Sequence, residues 1–258
     1  MPIAVAEIAA RLGLAARRFD IEVLPRCDST NAVMLGRAEA GAPSGTVVVT
    51  EEQTAGRGRR GRTWFAHPGD SLTFSLLWRF ARGTAPAGLS LAVGVAVARA
   101  LERVGAGETA LKWPNDILKQ GRKLGGILVE LVGDAPYSAV IGIGVNLRLP
   151  AGLPEEVRAT SAAIGAPGVA VDANEVLAAL LGELLATLDT FATQGFAAIR
   201  SEWLARHAYQ NVPVRLSSDF GPPSEGICRG VDTDGALLLE VDRRVERILS
   251  GEVSLRPV

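Results

Sequence analysis

Residues 56–62, here called the arginine loop, combine two residue types that suit the recognition of anions. Four of the seven are arginines and three are glycines, and Trp64 and Phe65 follow shortly after. Arginine forms paired hydrogen bonds with phosphates and carboxylates, and glycine lets a backbone approach a ligand closely. An aromatic side chain adds a flat apolar surface. The segment therefore predicts a loop that folds over a negatively charged ligand.

The three glycines of this loop also satisfy the pattern G-x-G-x-x-G of dinucleotide-binding proteins. That interpretation requires a helix directly after the glycines, but RTWFAHPGD contains Pro68 and Gly69 and has no helical period. A Walker A loop requires G-K-[ST], which is missing, and Thr63 stands where the glycine loop of a kinase has an apolar strand residue. A flexible basic loop that binds nothing stays open as the alternative.

A predicted helix start carries three small polar side chains. The segment DSTNAVMLGRAEAG offers Ser29 or Thr30 as the cap of a helix and Gly41 as its end. Ser29, Thr30 and Asn31 also supply hydroxyl and amide groups that can form hydrogen bonds with a ligand. Capping and ligand binding both stay open as interpretations of these residues.

Two later segments place lysines near a turn or near glycines. KWPND sets Lys112, Asn115 and Asp116 around Pro114, an arrangement that is equally typical of an ordinary turn. Lys123 precedes the glycines of LGGIL, where a ligand can approach the backbone. A lysine in a hairpin is more often a solvated edge charge. Both segments therefore keep a functional and a structural interpretation.

Composition and charge narrow the possible classes of protein. The chain has 258 residues, of which 48% are hydrophobic, enough for a packed core. Its 27 basic and 28 acidic residues give a net charge of -1, so the arginine loop is a local feature of a nearly neutral chain. Two cysteines and two histidines predict neither a zinc site nor a disulfide. We expect a cytoplasmic protein, because no signal peptide is recognisable and no apolar run approaches the roughly 18 residues of a membrane span.

The hydrophobic pattern predicts a mixed region of helices and strands followed by an all-β module. Helices are predicted over residues 3–19 and in DSTNAVMLGRAEAG, APAGLSLAVGVAVARALERVG, ANEVLAALLGELLATLDTF and FAAIRSEWLARHA. Strands are predicted in IEVLP, TVVVTE, SLTFSLLWRF, ALKWPNDIL, RKLGGILVEL and YSAVIGIGVNLRL, with a hairpin near QGR. From about Asn211 the sequence predicts only short β segments, namely VPVRL, GICRGVD, GALLLEV and VERILSG, which are separated by a Gly-Pro-Pro loop and by DTDG. We predict an α+β domain at 1–210 and a small β-barrel at 211–258.

Five segments together match the motifs of a known family. CDSTNAVML, EQTAGRGRRGRTW, LKWPNDIL, RKLGGILVEL and IGIGVNL occur in the order and at about the separations seen in biotin protein ligases. The chain resembles this family from Glu22 to Pro257, and GALLLEV with GEVSLRP resembles its C-terminal barrel. The resemblance implies a core of the class II synthetase type, a mixed sheet with helices, and an SH3-like β-barrel. It also implies the short form of the family, without an N-terminal DNA-binding domain.

The resemblance implies a reaction in two steps. Biotin and ATP give biotinyl-5′-adenylate and pyrophosphate, and a lysine of a biotin carboxyl carrier protein, such as that of acetyl-CoA carboxylase, then takes the biotinyl group. Joining two anions requires fixed positive charge more than a base. The mixed anhydride is already activated, so no enzyme nucleophile is needed. Magnesium is expected only as a transient ion near Asp116, with no fixed metal site.

The resemblance also assigns roles to individual residues. Catalysis is assigned to Lys123, Arg59 and Asp116, with Asp116 as the candidate acceptor of the proton of the incoming lysine. Biotin binding is assigned to Ser29, Thr30, Asn31, Gln53, Arg57, Gly58, Arg59 and Lys123. ATP or adenylate binding is assigned to Arg57, Arg60, Arg62, Trp64, Asn115, Lys123 and Asn146, with Trp64 stacking on adenine.

Three alternatives stand beside this interpretation. Lipoate ligases share the chemistry on a related core, although the GRGRRG loop favours biotin. A non-catalytic biotin sensor would have no need for Lys123 and Asp116 together. A DNA-binding repressor is the third, but only about twenty residues precede the strand at Ile21, too few for the three helices of a winged helix-turn-helix domain. We therefore expect no specific DNA binding, no membrane association, and a monomer or a homodimer.

Overall fold

The larger part of the chain forms a seven-stranded mixed sheet. The structure is a computed structural model that describes residues 2–133, 137–150, 152–165, 169–218, 221–249 and 253–257. The strands of this sheet are β1 (Asp20–Leu24), β2 (Thr46–Thr50), β3 (Ser71–Arg79), β4 (Ala110–Lys112), β5 (Asp116–Lys119), β6 (Arg122–Val132) and β7 (Ser138–Asn146). Their order is β1-β2-β3-β7-β6-β5-β4, and only the β1–β2 pair is parallel among these neighbours.

Helices cover both faces of this sheet. The α-helices that the structure describes are α1 (Val5–Leu12), α2 (Thr30–Glu39), α3 (Leu89–Arg103), α4 (Glu155–Thr160), α5 (Ala173–Gln194) and α6 (Arg200–Ala205). On one face, α3 and α5 pack together over the main hydrophobic core. On the other, Met34 of α2 packs against Val48, Leu77 and Val140. Strands β3 and β7 are buried almost throughout, which accounts for their nearly continuous apolar sequences.

The smaller part is a five-stranded antiparallel sheet. Its strands are β8 (Pro213–Ser218), β9 (Gly221–Val231), β10 (Leu237–Val241), β11 (Arg244–Ile248) and β12 (Val253–Pro257), in the order β11-β10-β9-β8-β12. Trp113 Nε1 donates to the carbonyl oxygen of Gly235 at 3.1 Å, and Arg200 Nε donates to that of Val231 at 2.8 Å. These bonds join the second sheet to the turn between β4 and β5 and to α6. The predicted fold class, a mixed sheet with helices followed by a β module, is confirmed.

Two predicted helices are shorter than expected. The helix predicted over residues 3–19 ends at Leu12, because Gly13 has a φ of 57° and a 3-10 helix, Gly13–Arg18, follows. The helix predicted in FAAIRSEWLARHA is a 3-10 turn, Phe196–Ala198, followed by the short α6. Helix α4 was not predicted, because six residues are too few to display a helical period.

The strand predictions also require correction at two places. ALKWPNDIL is two strands, because β4 and β5 pair antiparallel with Lys112 opposite Asp116 and the chain reverses at Trp113–Asn115. The predicted Gly-Pro-Pro loop instead begins β9. Proline is tolerated there because this part of β9 pairs with β8, and β10 pairs with β9 from Ile227 onward. Ser250 and Gly251, which end the predicted segment VERILSG, lie outside the described residues.

Helix α5 is long and apolar enough to cross a membrane, by length and composition only. It has 22 residues, and half of its most apolar window is buried inside the structure. Leu177, Leu181, Leu184 and Leu188 are completely buried where α5 packs on the core. The sequence of α5 is therefore apolar because α5 is a helix of the hydrophobic core.

Candidate functional site

One cavity brings together nearly all the residues that the sequence singled out. It lies among the start of α2, the arginine loop, the KWPND turn and the glycine-rich parts of β6 and β7. The predicted residues that line it are Ser29, Thr30, Asn31, Gln53, Arg57, Gly58, Arg59, Arg60, Arg62, Trp64, Asn115, Asp116 and Lys123. Asn146 lies instead in a neighbouring cavity. Segments that lie far apart in sequence, from Ser29 to Gly144, therefore meet because the sheet order places β3, β7, β6 and β5 side by side.

Glycines on the two central strands let side chains lie directly on the sheet. Gly126 of β6 pairs with Gly144 of β7. A Cβ at Gly144 would come within 2.4 Å of Trp64 Cε2, so the indole ring rests on this glycine. Two residues earlier on β7, a Cβ at Gly142 would come within 2.0 Å of Asn31 Oδ1. Any larger residue at either position would displace a cavity side chain.

The start of α2 forms the polar side of the cavity. The backbone N–H of Thr30 donates to Gln53 Oε1 at 2.8 Å, and Ser75 Oγ donates to Asn31 Oδ1 at 2.6 Å. Asn31 Nδ2 donates to Glu130 Oε2 at 2.8 Å. The Ser29 side chain occupies the N-cap position but makes no capping hydrogen bond. Capping therefore does not account for Ser29.

A carboxylate between two lysines forms the charged side. Asp116 Oδ1 lies 2.6 Å from Lys123 Nζ, and Asp116 Oδ2 lies 3.5 Å from Lys112 Nζ. Burial opposes ionisation of Asp116, but the two ammonium groups outweigh it and lower the pKa of the carboxyl. Burial lowers the pKa of Lys112, and Asp116 partly opposes this shift. With Arg59 also lining the cavity, three cationic side chains surround one carboxylate, so this side is suited to an anion.

The arginine loop is folded back on itself at the mouth of the cavity. The N–H of Gly58 donates to Arg62 O at 2.7 Å, and that of Trp64 donates to Gly56 O at 2.9 Å. Arg59 Nη1 lies 3.4 Å from Asn115 Oδ1, while Asn115 Nδ2 donates to Ile127 O at 2.7 Å. Burial lowers the pKa of the Arg59 guanidinium, which Asp116 counteracts. The loop thus carries Arg59 towards the KWPND turn and the Asp116 carboxylate.

Trp64 and Lys123 also line a second cavity. Its other lining residues include Asn146, Ser71 and three apolar side chains, Pro150, Leu153 and Val157. Trp64 Nε1 and Ser71 Oγ are buried without a hydrogen-bond partner in the part of the chain that the structure describes. Asn146 Nδ2 donates to Ala162 O at 2.9 Å, so this side chain also ties β7 to the following segment. The apolar walls and the indole ring suit a flat aromatic base.

Several lining residues were not found from the sequence. Leu255 of β12 is completely buried and reaches the first cavity from the second sheet. Pro150, Leu153 and Val157 belong to a segment without a recognisable pattern. Ser75 and Glu130, which bond to the lining residue Asn31 without lining the cavity themselves, lie inside strands that the sequence identifies only as sheet. A polar residue within an apolar strand, such as Ser75 in SLTFSLLW, is the signal that identifies such positions.

The described residues do not form a metal site. No group of three His, Cys, Asp or Glu side chains that could hold a metal ion is present among them. Both carboxylate oxygens of Asp116 face ammonium groups. These residues do not fit a magnesium ion held by the protein alone, since such sites use carboxylates together with substrate phosphates.

Comparison with known proteins identifies the family. The profile of the biotin/lipoate A/B protein ligase family matches residues 23–146, and that of the biotin protein ligase C terminal domain matches residues 211–256. The chain is 41% identical over 240 residues to the bifunctional ligase/repressor BirA of Escherichia coli K12, which covers 92% of this chain and 74% of that protein. The chain belongs to the biotin protein ligase family.

Other members agree with this assignment along nearly the whole chain. The biotin--[acetyl-CoA-carboxylase] ligase of Mycobacterium tuberculosis is 36% identical over 240 residues, covering 90% of this chain and 88% of that one. The solved structure of the Aquifex aeolicus biotin protein ligase in complex with biotin and ATP superposes with a TM-score of 0.80 at 30% identity. The superposition covers 93% of this chain and 99% of that chain. The first family profile ends at the last residue of β7, so it includes the strands of the larger sheet that line the cavity, and the second profile includes Leu255.

Proposed function

We propose that the chain is an ATP-dependent biotin protein ligase that activates biotin as biotinyl-5′-adenylate and transfers it to a lysine of a biotin carboxyl carrier protein. The observation that carries the proposal is the convergence of Lys112, Lys123 and Arg59 on one side of a cavity whose other side holds Thr30 and Gln53. Two comparisons support it, because one relative is a biotin--[acetyl-CoA-carboxylase] ligase and one similar structure holds biotin and ATP.

Biotin fits the chemistry of this cavity. Its neutral ureido ring offers two N–H donors and a carbonyl, which match the hydroxyl groups of Ser29 and Thr30 and the amide of Gln53. Its carboxylate requires a cation, which Lys123, Arg57 or Arg59 supplies.

In the first step, a carboxylate oxygen of biotin attacks the α-phosphorus of ATP. The new C–O–P linkage forms as the bond to the β-phosphate breaks, and pyrophosphate leaves with the bonding electrons. Negative charge builds up on the phosphoryl oxygens, and we assign its stabilisation to Lys123 and Lys112, the two ammonium groups that pair with Asp116. Trp64 offers its ring to adenine beside the apolar residues of the second cavity.

In the second step, the amine of the acceptor lysine attacks the carbonyl carbon of the adenylate. An amide bond forms, AMP leaves with the electrons of the C–O bond, and the amine loses a proton. Asp116 is the candidate acceptor, although its lowered pKa makes it a weak base that stays ionised. An ionised Asp116 also attracts the incoming lysine as an ammonium ion, which places the amine beside the adenylate.

Further features of the proposal concern organisation and context. We assign residues 1–210 to a catalytic domain and 211–258 to a second domain that closes the cavity through Leu255. The acceptor is the carrier domain of acetyl-CoA carboxylase or a similar carboxylase, and the chain acts in the cytoplasm as a monomer or a homodimer. Magnesium enters with the triphosphate of ATP, since the described residues include no group of three potential metal ligands.

Biotin-dependent exchange of pyrophosphate into ATP tests the first step, and addition of a biotin carrier domain tests the second. We expect exchange with biotin and transfer to the carrier without a further subunit. Exchange that depends on lipoate and not on biotin would assign the chain to lipoate ligation instead. Biotin binding without exchange would identify a biotin sensor.

A further inference from the structure

The Glu130 carboxylate joins two parts of the cavity without lining it. Glu130 lies on β6, and its side chain is 26% exposed. Its Oε2 accepts a hydrogen bond from Asn31 Nδ2 at 2.8 Å, and its Oε1 lies 3.8 Å from Arg57 Nη2. Asn31 belongs to the start of α2, and Arg57 belongs to the arginine loop. Glu130 therefore connects two lining residues that are 26 positions apart in the chain.

The orientation of the Asn31 amide depends on this carboxylate. The side chain is buried, with only 3% of its surface exposed. Its Nδ2 faces two acceptors, Glu130 Oε2 and Leu128 O, and its Oδ1 accepts from Ser75 Oγ. A flipped amide would place an oxygen against a carboxylate and a carbonyl, so only one orientation is compatible with these partners. The Glu130 bond is the charge-assisted one of the three.

The same network continues to the polar residues proposed to bind biotin. Ser75 Oγ lies 2.8 Å from Thr30 Oγ1, and the Thr30 N–H donates to Gln53 Oε1 at 2.8 Å. Gln53, just before the arginine loop, and Arg57, within it, are only four residues apart. The contacts therefore form a closed ring that runs from Arg57 through Glu130, Asn31, Ser75 and Thr30 to Gln53. A change at one member is transmitted to both the helix start and the loop.

We infer that Glu130 is a positioning residue for biotin, acting through Asn31 and, more weakly, through Arg57. This inference rests on the proposed function. The Asn31 contact dominates because it is buried and short, whereas Arg57 is 54% exposed and its ion pair is long. Glu130 does not touch the substrate. It holds the side-chain amide of Asn31. That amide fixes the positions of Ser75 and Thr30, and with them the hydrogen-bond donors and acceptors that face the ureido ring.

The test compares Glu130→Ala, Glu130→Gln and a matched control in biotin-dependent pyrophosphate exchange. Glu240→Ala is the control, because Glu240 is also a strand glutamate, is 25% exposed and pairs with Arg229 away from the cavity. For Glu130→Ala we expect the KM for biotin to rise about 10- to 100-fold, because one charge-assisted hydrogen bond is lost. The kcat and the KM for ATP should stay within about twofold of the parent values. Glu130→Gln retains an acceptor for Asn31 and should restore the KM for biotin to within about threefold of the parent. Glu240→Ala should leave all three constants unchanged.

A double variant separates positioning through Asn31 from a general structural effect. If Glu130 acts through Asn31, adding Glu130→Ala to Asn31→Ala should raise the KM for biotin no further. The inference would be overturned if Glu130→Ala lowered kcat and raised both KM values by similar factors. It would also be overturned if the effects of Glu130→Ala and Asn31→Ala on the KM for biotin were additive. Glu130→Leu, which keeps the bulk and lacks an acceptor, replaces Glu130→Ala if that variant does not fold. A parent chain without biotin-dependent exchange would overturn the proposed function and this inference together, whereas an active parent with the same KM for biotin as Glu130→Ala would overturn only the inference.

Discussion

Two glycines on one strand provide a test of how the cavity is divided between ATP and biotin. Gly142 and Gly144 lie on β7 and face the same side of the sheet, but they contact different side chains. Gly144→Ala would press on Trp64, and Gly142→Ala would press on Asn31. We therefore expect Gly144→Ala to impair ATP use selectively and Gly142→Ala to impair biotin use selectively.

The distances indicate how large these effects are. The added Cβ at Gly144 would lie 2.4 Å from Trp64 Cε2 and 2.6 Å from Cζ2. Carbon atoms pack at about 3.5–4.0 Å, so the indole has to move by more than about 1 Å. Stacking of a base on an aromatic side chain contributes about 1–3 kcal/mol, so its loss raises the KM for ATP roughly 5- to 150-fold. At Gly142 the neighbour is Asn31, which is buried and held by Ser75 and Glu130 and therefore cannot move aside.

Pyrophosphate exchange at varied ATP and at varied biotin measures both constants for each variant, and thermal unfolding measures the cost in stability. Gly142→Ala should lower the free energy of unfolding by about 1–3 kcal/mol, because it overpacks a buried site. Gly144→Ala should cost less, since Trp64 lies just after the arginine loop, in a segment that can shift. If Gly144→Ala leaves the KM for ATP within about twofold of the parent, Trp64 does not stack on the base. Equal increases in both KM values would show that the two sides of the cavity are not separate.

Other expected outcomes concern the charged side, pH and DNA. Lys123→Ala should abolish adenylate formation in single-turnover experiments, whereas Arg59→Gly should still form the adenylate but release it about 10- to 100-fold faster, which equal retention times would contradict. His207 is buried, which lowers its pKa to about 4 from 6.5. Below pH 6.5 the unfolded chain binds a proton that folded His207 does not, so the free energy of unfolding should fall by up to about 3 kcal/mol between pH 6.5 and 4. His207→Gln should flatten this part of the profile of Tm against pH, and an unchanged slope would exclude His207 as its cause. Footprinting should detect no specific DNA binding at about 0.15 M salt, and a specific footprint there would refute the expectation.

Much of the chemistry was predictable because it depends on residue types within short segments. The arginine loop, KWPND and RKLGGIL indicate anion recognition through charge and through glycines that admit a ligand. The hairpin near QGR was predictable for the same local reason, since Gln120 and Gly121 both adopt a positive φ. The number of strands around KWPND was harder to predict, because a single strand with a kink and two short antiparallel strands have the same local sequence pattern. Only the pairing of Lys112 with Asp116 distinguishes them.

The sequence by itself determined the family, the α+β class and the list of residues able to bind a carboxylate and a phosphate. Tertiary structure alone decided which partners those residues have. In the folded chain, the Asp116 carboxylate lies between Lys112 and Lys123, and Glu130 orients Asn31. Leu255, from the second sheet, lines the cavity. The reason is that these contacts join segments brought together by the strand order β3-β7-β6-β5 and by the packing of two sheets. Neither arrangement is encoded in the periodicity or the composition of any one segment.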